Sequence, residues 1–225
     1  MIADGTVDAD LAAHVAERLH VVRERIAAAG GTDVGVLAVT KTFSIAEVLA
    51  AVSVGCDGVG ENYAQEVRAK FADVERSYSV HFIGQLQSNK IRMLAGLVDV
   101  FETVDRQSVI DELAKRVPGA HVLVQIAPNV ATDAKGGCSI ADAAAIVDLA
   151  RSRGLVVDGL MTVGPTQGGA EAARPGFRAV RALADRLDLS TVSMGMTDDL
   201  EVAVQEGSTQ VRVGSALFGE RPLRA

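Results

Sequence analysis

From residue 34 onward this chain alternates two periodicities, and that alternation restricts its fold more than any other feature. Short apolar runs stand at 34–39 (VGVLAV), 57–60 (DGVG), 80–84 (VHFIG), 98–103 (VDVFET), 121–127 (HVLVQIA), 155–163 (LVVDGLMTV), 191–195 (TVSMG) and 209–213 (TQVRV). They have the Val, Ile and Leu texture of strands buried on both faces. Helical patterns such as IAEVLAAVSVG, RQSVIDELAKRV, IADAAAIVDLARSRG and RPGFRAVRALADRLD lie between most of them. Strand following helix following strand implies a parallel sheet. About eight strands in a unit of this size predict a (β/α)8 TIM-type barrel. A doubly wound open sheet shares the local pattern and is the alternative.

Ahead of the barrel, Leu11, Val15, Leu19, Val22 and Ile26 recur at helical spacing until Gly30-Gly31. This predicts one long amphipathic helix added to the barrel. No linker, low-complexity tract or shift in composition divides the chain. We therefore expect a single domain over 1–225, with the helix in 1–31 and the barrel in 34–219.

Composition excludes several classes of function. A net charge of -7 argues against a general nucleic-acid binder, which would normally be basic. Two cysteines, Cys56 and Cys138, are too few for a disulfide framework and suit a reducing compartment. The acidic start, MIADGTVDADLAAHVAERL, lacks the basic then apolar pattern of a signal peptide. No apolar stretch is long enough to span a bilayer. The expected location is the cytoplasm, without membrane partners.

In such a barrel, chemistry collects where strands run into their following loops. Strand one ends in Thr40-Lys41-Thr42, strand two in Gly60-Glu61-Asn62-Tyr63, and strand three in GQLQSNK with Gln85, Gln87, Ser88 and Asn89. Strand four ends in Thr103-Val104-Asp105-Arg106, strand five in Asn129 and strand six in Met161-Thr162. Among these ends, Lys41 alone presents a lysine as the first polar group after the run. Such a lysine is either a solvated charge or a reactive amine, and local sequence leaves both open. Small residues after strands seven and eight, Ser193, Gly195, Thr197, Gly214 and Ser215, suit a phosphate site built from backbone N–H groups. Thr197 could also cap a helix beginning at Asp198.

Other residues point to structural roles. His81 and His121 begin strands on the face away from the loops, while His14 and His20 belong to the first helix. No histidines or cysteines have metal-ligand spacing. Cys56 reads as packed and Cys138 as a bystander thiol. Glu61 and Asp105 could act in acid–base chemistry, although carboxylates at loop starts more often hold turns.

Taken in order, AVTKTFS, GVGENYAQE, HFIGQLQSNK, TVDR, GLMTVGP and SMGMTDDLEVAVQEGSTQVRVGSALFGER resemble the pyridoxal phosphate homeostasis proteins, themselves similar to the N-terminal barrel of alanine racemases. The resemblance runs from about Val36 to Arg221. It implies that Lys41 holds pyridoxal phosphate as a Schiff base, and that the loops Ser193 to Thr197 and Arg212 to Ser215 bind the cofactor's phosphate and ring. Asn62 and Asn89 match residues near the cofactor, and Met161 is expected to line the same site. The chain departs from the family at Phe43, where a second lysine often stands. Lys135 matches another family lysine in a loop, Asn129 to Cys138, that looks altered.

If Arg212 reaches the pyridine nitrogen, as the resemblance implies, it can only donate a hydrogen bond. The nitrogen then stays unprotonated and the ring is a weak electron sink. Racemases of this type add a second base from another domain or subunit, and no such domain is expected here. The resemblance therefore implies a monomeric, non-catalytic carrier in vitamin B6 homeostasis, storing pyridoxal phosphate or supplying it to apo enzymes that depend on it. An amino-acid racemase-like enzyme is the alternative, which α-proton turnover would reveal. A Schiff-base aldolase fits less well, because strand six ends in Met161-Thr162 with no lysine.

Overall fold

The computed structural model describes residues 7–72, 74–128 and 136–220. Eight parallel strands close into a barrel in sequence order: β1 (Gly35–Val39), β2 (Gly58–Glu61), β3 (Ser79–Phe82), β4 (Val100–Val104), β5 (His121–Ile126), β6 (Val156–Thr162), β7 (Thr191–Ser193) and β8 (Gln210–Val213). Closure occurs where Val36, Leu37 and Ala38 of β1 pair with Val211, Arg212 and Val213 of β8. Each predicted apolar run overlaps one of these strands, and closure excludes the open sheet. A closed ring leaves no unpaired edge to protect.

The connecting helices are α2 (Ile45–Ser53), α3 (Ala64–Phe71), α4 (Ile91–Leu94), α5 (Gln107–Arg116), α6 (Ala143–Ser152), α7 (Arg174–Arg186) and α8 (Leu200–Gln205), with α9 (Ser215–Phe218) following β8. Alternate residues along a strand face opposite ways. In β1, Val36 and Ala38 join the apolar layer between barrel and helices, while Leu37 and Val39 take the opposite face. Two apolar clusters make up that outer layer, one reaching from α1 to α5 and the other centred on α6 and α7.

Helix α1 (Ala9–Ala28) confirms the predicted amphipathic stripe, with Val15, Leu19, Val22 and Ile26 buried. Asp8 caps it by accepting from the N–H groups of Asp10 and Leu11, each at 3.0 Å. Each fully buried aliphatic side chain contributes on the order of 1.5–3 kcal/mol. That burial docks α1 against α2, α8 and α9, on the outside of the barrel beside its β8–β1 seam.

Local chemistry also fixes the loop that carries Lys41. Ser44 and Glu47 form a capping box at the start of α2, the reciprocal pairing that an S-x-x-E sequence favours. Between β1 and that cap, Phe43 N–H donates to the Thr40 carbonyl at 3.1 Å, and Thr42 adopts φ 70°. A β-branched residue in the left-handed region is strained by about 1–3 kcal/mol. The Glu66 carboxylate of α3 holds it there, accepting the Thr42 N–H at 2.8 Å.

Candidate functional site

The C-terminal strand ends surround a cavity of about 580 Å³, within the usual range of small-molecule sites. Its wall takes Val39 and Lys41 from the end of β1, Asn62 from β2, and Ile83, Gly84 and Gln85 from β3. Thr103, Gln125 and Met161 continue it from β4, β5 and β6, and Met196, Thr197 and Asp198 follow β7. Arg212, Gly214 and Ser215 complete it from β8. Gly84 is required there because a Cβ would stand 2.0 Å from the Asn62 carbonyl oxygen.

Seven of the ten expected site residues therefore meet at one cavity: Lys41, Asn62, Met161, Thr197, Arg212, Gly214 and Ser215. Three do not line it. Asn89 is exposed in the 3-10 turn Ser88–Lys90. Gly195, at φ 95°, is buried behind the loop, where its carbonyl accepts the Arg212 N–H at 2.9 Å. Ser193 lies inside the barrel, fully buried. The Asn129 strand end and Lys135 fall outside the described residues.

Thr197 does not cap a helix at Asp198. Helix α8 begins at Leu200, and Asp199 Oδ1 accepts the Met196 N–H at 2.6 Å. That bond closes the turn two residues later than expected and leaves the Thr197 hydroxyl to accept from Ser215 Oγ at 3.2 Å. The two small-residue loops are thus tied together across the cavity wall. Among the described residues, the backbone N–H groups of Thr197, Asp198, Ser215 and Ala216 have no protein acceptor. Thr197, Asp198 and Ser215 line the cavity, and backbone N–H groups gathered in a concave wall suit an anion.

Behind Lys41 lies a buried ion pair. Lys70 Nζ of α3 donates to Glu61 Oε1 at 2.6 Å and to the Thr40 carbonyl at 2.8 Å, while Thr40 Oγ1 donates to the same carboxylate at 2.7 Å. Burial raises the Glu61 carboxyl above its ordinary value, against the charge and hydrogen bond of Lys70. Glu61 thus holds a turn and a partner, and Lys70 pins the carbonyl that precedes Lys41. Phe43, at the position where the family often has lysine, packs against Phe218 of α9 with ring centroids 4.9 Å apart.

Beneath the cavity runs a polar network that the strand patterns did not announce. Glu102, fully buried in β4, accepts from Ser193 Oγ at 2.7 Å and Gln210 Nε2 at 2.8 Å and pairs with His81 Nδ1 at 2.6 Å. Arg212 Nη1 donates to Ser193 Oγ at 2.8 Å and to its carbonyl at 2.7 Å, and Nη2 donates to the Thr162 carbonyl at 2.7 Å. Burial pushes the Glu102 carboxyl up, but the His81, Arg212 and Ser193 contacts together outweigh it and hold the group below the ordinary glutamate range. Desolvation lowers Arg212, opposed by the charges of Glu102 and Asp199. The sequence signal for Glu102 was a carboxylate beside Phe101 near the end of the run VDVFET. A charge buried in a barrel needs partners from other strands.

Among the described residues, no helix is long and apolar enough to cross a membrane, and no group of three His, Cys, Asp or Glu side chains could hold a metal ion.

Known proteins share this sequence and architecture. Residues 11–222 match the family described as the alanine racemase N-terminal domain. A pyridoxal phosphate homeostasis protein of Pseudomonas aeruginosa is 38% identical over 222 residues, covering 92% of this chain and 96% of that protein. A solved structure of an unknown protein from Bifidobacterium adolescentis is similar with a TM-score of 0.83 and 33% identity, covering 96% of this chain and 99% of that one. PipY of Synechococcus elongatus, solved with PLP bound, gives a TM-score of 0.79 at 30% identity over 91% of this chain and 100% of PipY. This chain belongs to the alanine racemase N-terminal domain family and, within it, to the pyridoxal phosphate homeostasis proteins.

Proposed function

We propose that this protein binds pyridoxal phosphate through Lys41 and serves vitamin B6 homeostasis by storing or supplying the cofactor, without turning over a substrate. The observation that carries this reading is the convergence, in one cavity, of an amine, a buried guanidinium and a set of uncommitted backbone N–H groups. Those three features match the aldehyde, the ring nitrogen and the phosphate of the cofactor. Asn62 adds a buried Oδ1 with no protein donor among the described residues. An unmet buried acceptor costs about 1–3 kcal/mol, which a polar ligand relieves. PipY, solved with PLP bound, supports the same reading by similarity.

When bound, pyridoxal phosphate supplies an aldehyde that links to an amine and a ring that delocalises charge. Linking to the aldehyde needs Lys41 as a neutral amine, and Val39, Ile83, Met161 and Val163 form the apolar part of the wall around it. Arg212 has three of its five donors engaged by Ser193 and Thr162, leaving two for a ring nitrogen that accepts. Thr197, Gly214 and Ser215 would hold the phosphate from the loops after β7 and β8.

The absence of turnover rests on the lining. Among the described residues, its ionisable side chains are Lys41, Asp198 and Arg212. Asp198 belongs to the loop proposed for the phosphate and Arg212 cannot accept a proton, so the described lining offers no second base for Lys41. We read α1 and the barrel as one domain acting as a monomer in the cytoplasm, with apo enzymes that need the cofactor as recipients.

An absorption spectrum before and after borohydride, followed by peptide mapping, tests this reading. The purified protein should carry a visible band, and reduction should fix the pyridoxyl group on the peptide containing Lys41. Label on a different lysine, or a retained band in Lys41→Ala, would overturn the assignment.

A further inference from the structure

Helix α1 lies outside the barrel and does not line the cavity, yet one of its side chains holds the loop after β7. Arg25 Nη2 donates to the Thr197 carbonyl at 2.8 Å, while Nε and Nη2 grip Glu201 of α8 at 2.6 and 3.0 Å. We infer that Arg25 is a positioning residue for the phosphate half of the site, an inference that rests on the function proposed above.

The reason is the geometry of the peptide. A trans peptide is planar, so the Thr197 carbonyl and the Asp198 N–H point in opposite directions. Arg25 draws the carbonyl outward to α1. The Asp198 N–H is thereby turned away from α1, toward the cavity that Thr197 and Asp198 line. Left to itself, a short loop between a three-residue strand and a six-residue helix could rotate this peptide, because the Asp198 N–H has no protein acceptor to lock it. The carbonyl is the group that is locked instead.

The grip is suited to orientation. A guanidinium presents its donors in a rigid fork, so the bidentate contact with Glu201 fixes the plane from which the bond to Thr197 leaves. Glu201 belongs to the helix that the loop enters, and α1 is anchored by Val22 and Ile26 in the buried layer. Arg25 thus ties the loop to two elements that do not touch the ligand. Ser215 Oγ, bonded to Thr197 Oγ1, carries the constraint across to the loop after β8.

The test compares the affinity of the full chain for pyridoxal phosphate and for pyridoxal, which lacks the phosphate. Arg25→Met keeps the stem against the barrel and removes the fork. It should weaken pyridoxal phosphate about tenfold, or ~1.4 kcal/mol, and change pyridoxal by less than about twofold. Glu201→Gln, which loosens the grip without removing it, should move the same ratio in the same direction by less. Should Arg25→Met fail to fold, Arg25→Lys is compared in the same way, since an ammonium cannot make both contacts in the fork's plane. Equal losses for both ligands, or no loss for either, would overturn the role of Arg25. A wild-type chain that takes up neither ligand would overturn the function itself, and the role of Arg25 with it.

Discussion

Glu102 accepts the Ser193 hydroxyl at 2.7 Å inside the barrel, at residues 91 positions apart in the chain. Ser193 in turn accepts from Arg212, so one buried carboxylate sets the stance of the guanidinium beneath the cavity.

Removing that carboxylate should be costly. Glu102→Ala removes one of the two carboxylate charges that face the buried Arg212 and leaves Ser193, Gln210 and His81 without their acceptor, and breaking a buried charge network of this kind typically costs about 3–5 kcal/mol. Urea denaturation at neutral pH measures it. The pH dependence has a definite sign, because the folded carboxyl titrates below an ordinary glutamate at about 4.3. Its contribution is fully present above that value and is lost as pH falls through the lower folded value. Glu102→Gln should flatten this acid limb, and an unchanged limb would show that other carboxylates cause it.

Ser193 and Ser215 should behave differently, although both belong to small-residue loops. Ser215→Ala or Thr197→Val should weaken pyridoxal phosphate by roughly ten- to a hundredfold, about 1.5–3 kcal/mol, and leave pyridoxal nearly unchanged. Ser193→Ala should lower stability and weaken both ligands, because it acts through Arg212. Titrations with the two ligands separate the cases. Selective loss of the phosphate ligand in Ser193→Ala would return that hydroxyl to the phosphate.

Exchange of the α-proton should be absent or marginal. Incubation with L-alanine in deuterated water, followed by mass or magnetic resonance, reads this directly. Exchange at rates usual for enzymes, roughly 1–1,000 per second, would require a base that the described lining lacks.

Both cysteines should resist thiol reagents in the folded protein. Burial raises Cys56 to about 12 and Cys138 to about 11, the latter held by backbone bonds to Gln125 and Ala127. At pH 8 only about one Cys138 in a thousand is then a thiolate. A disulfide reagent should label neither at useful speed until denaturant is added, and fast native labelling of Cys138 would contradict this burial.

What was legible in the sequence was local. The strands of the barrel follow from runs of β-branched and aliphatic residues, and α1 from its spaced Val15, Leu19, Val22 and Ile26. Lys41 was legible because β1 ends just before it and the Ser44 cap starts a helix just after it. Asn62, Met161, Thr197, Arg212, Gly214 and Ser215 share the cavity because each stands at or beyond a strand's C-terminal end, a position readable from the runs alone. Asn89 missed it because its loop turns through a 3-10 segment before α4, which spacing did not signal.

The tertiary structure decided which side of a strand end faces the ligand and what stands behind it. Ser193 and Thr197 occur in one short stretch, but strand alternation sends Ser193 into the barrel while Thr197 follows the turn to the rim. Which partner Ser193 meets depends on the register of the strand ring, which pairs it with Met161 on β6 and Gln210 on β8. Arg25 finds Thr197 across 172 positions only because α1 docks at the β8–β1 seam. The sequence alone determined the elements and their order, since periodicity acts between near neighbours. Closure of the barrel decided the Glu102 network and the Arg25 contact, because a buried charge takes partners from whichever strands and helices the closed ring brings beside it.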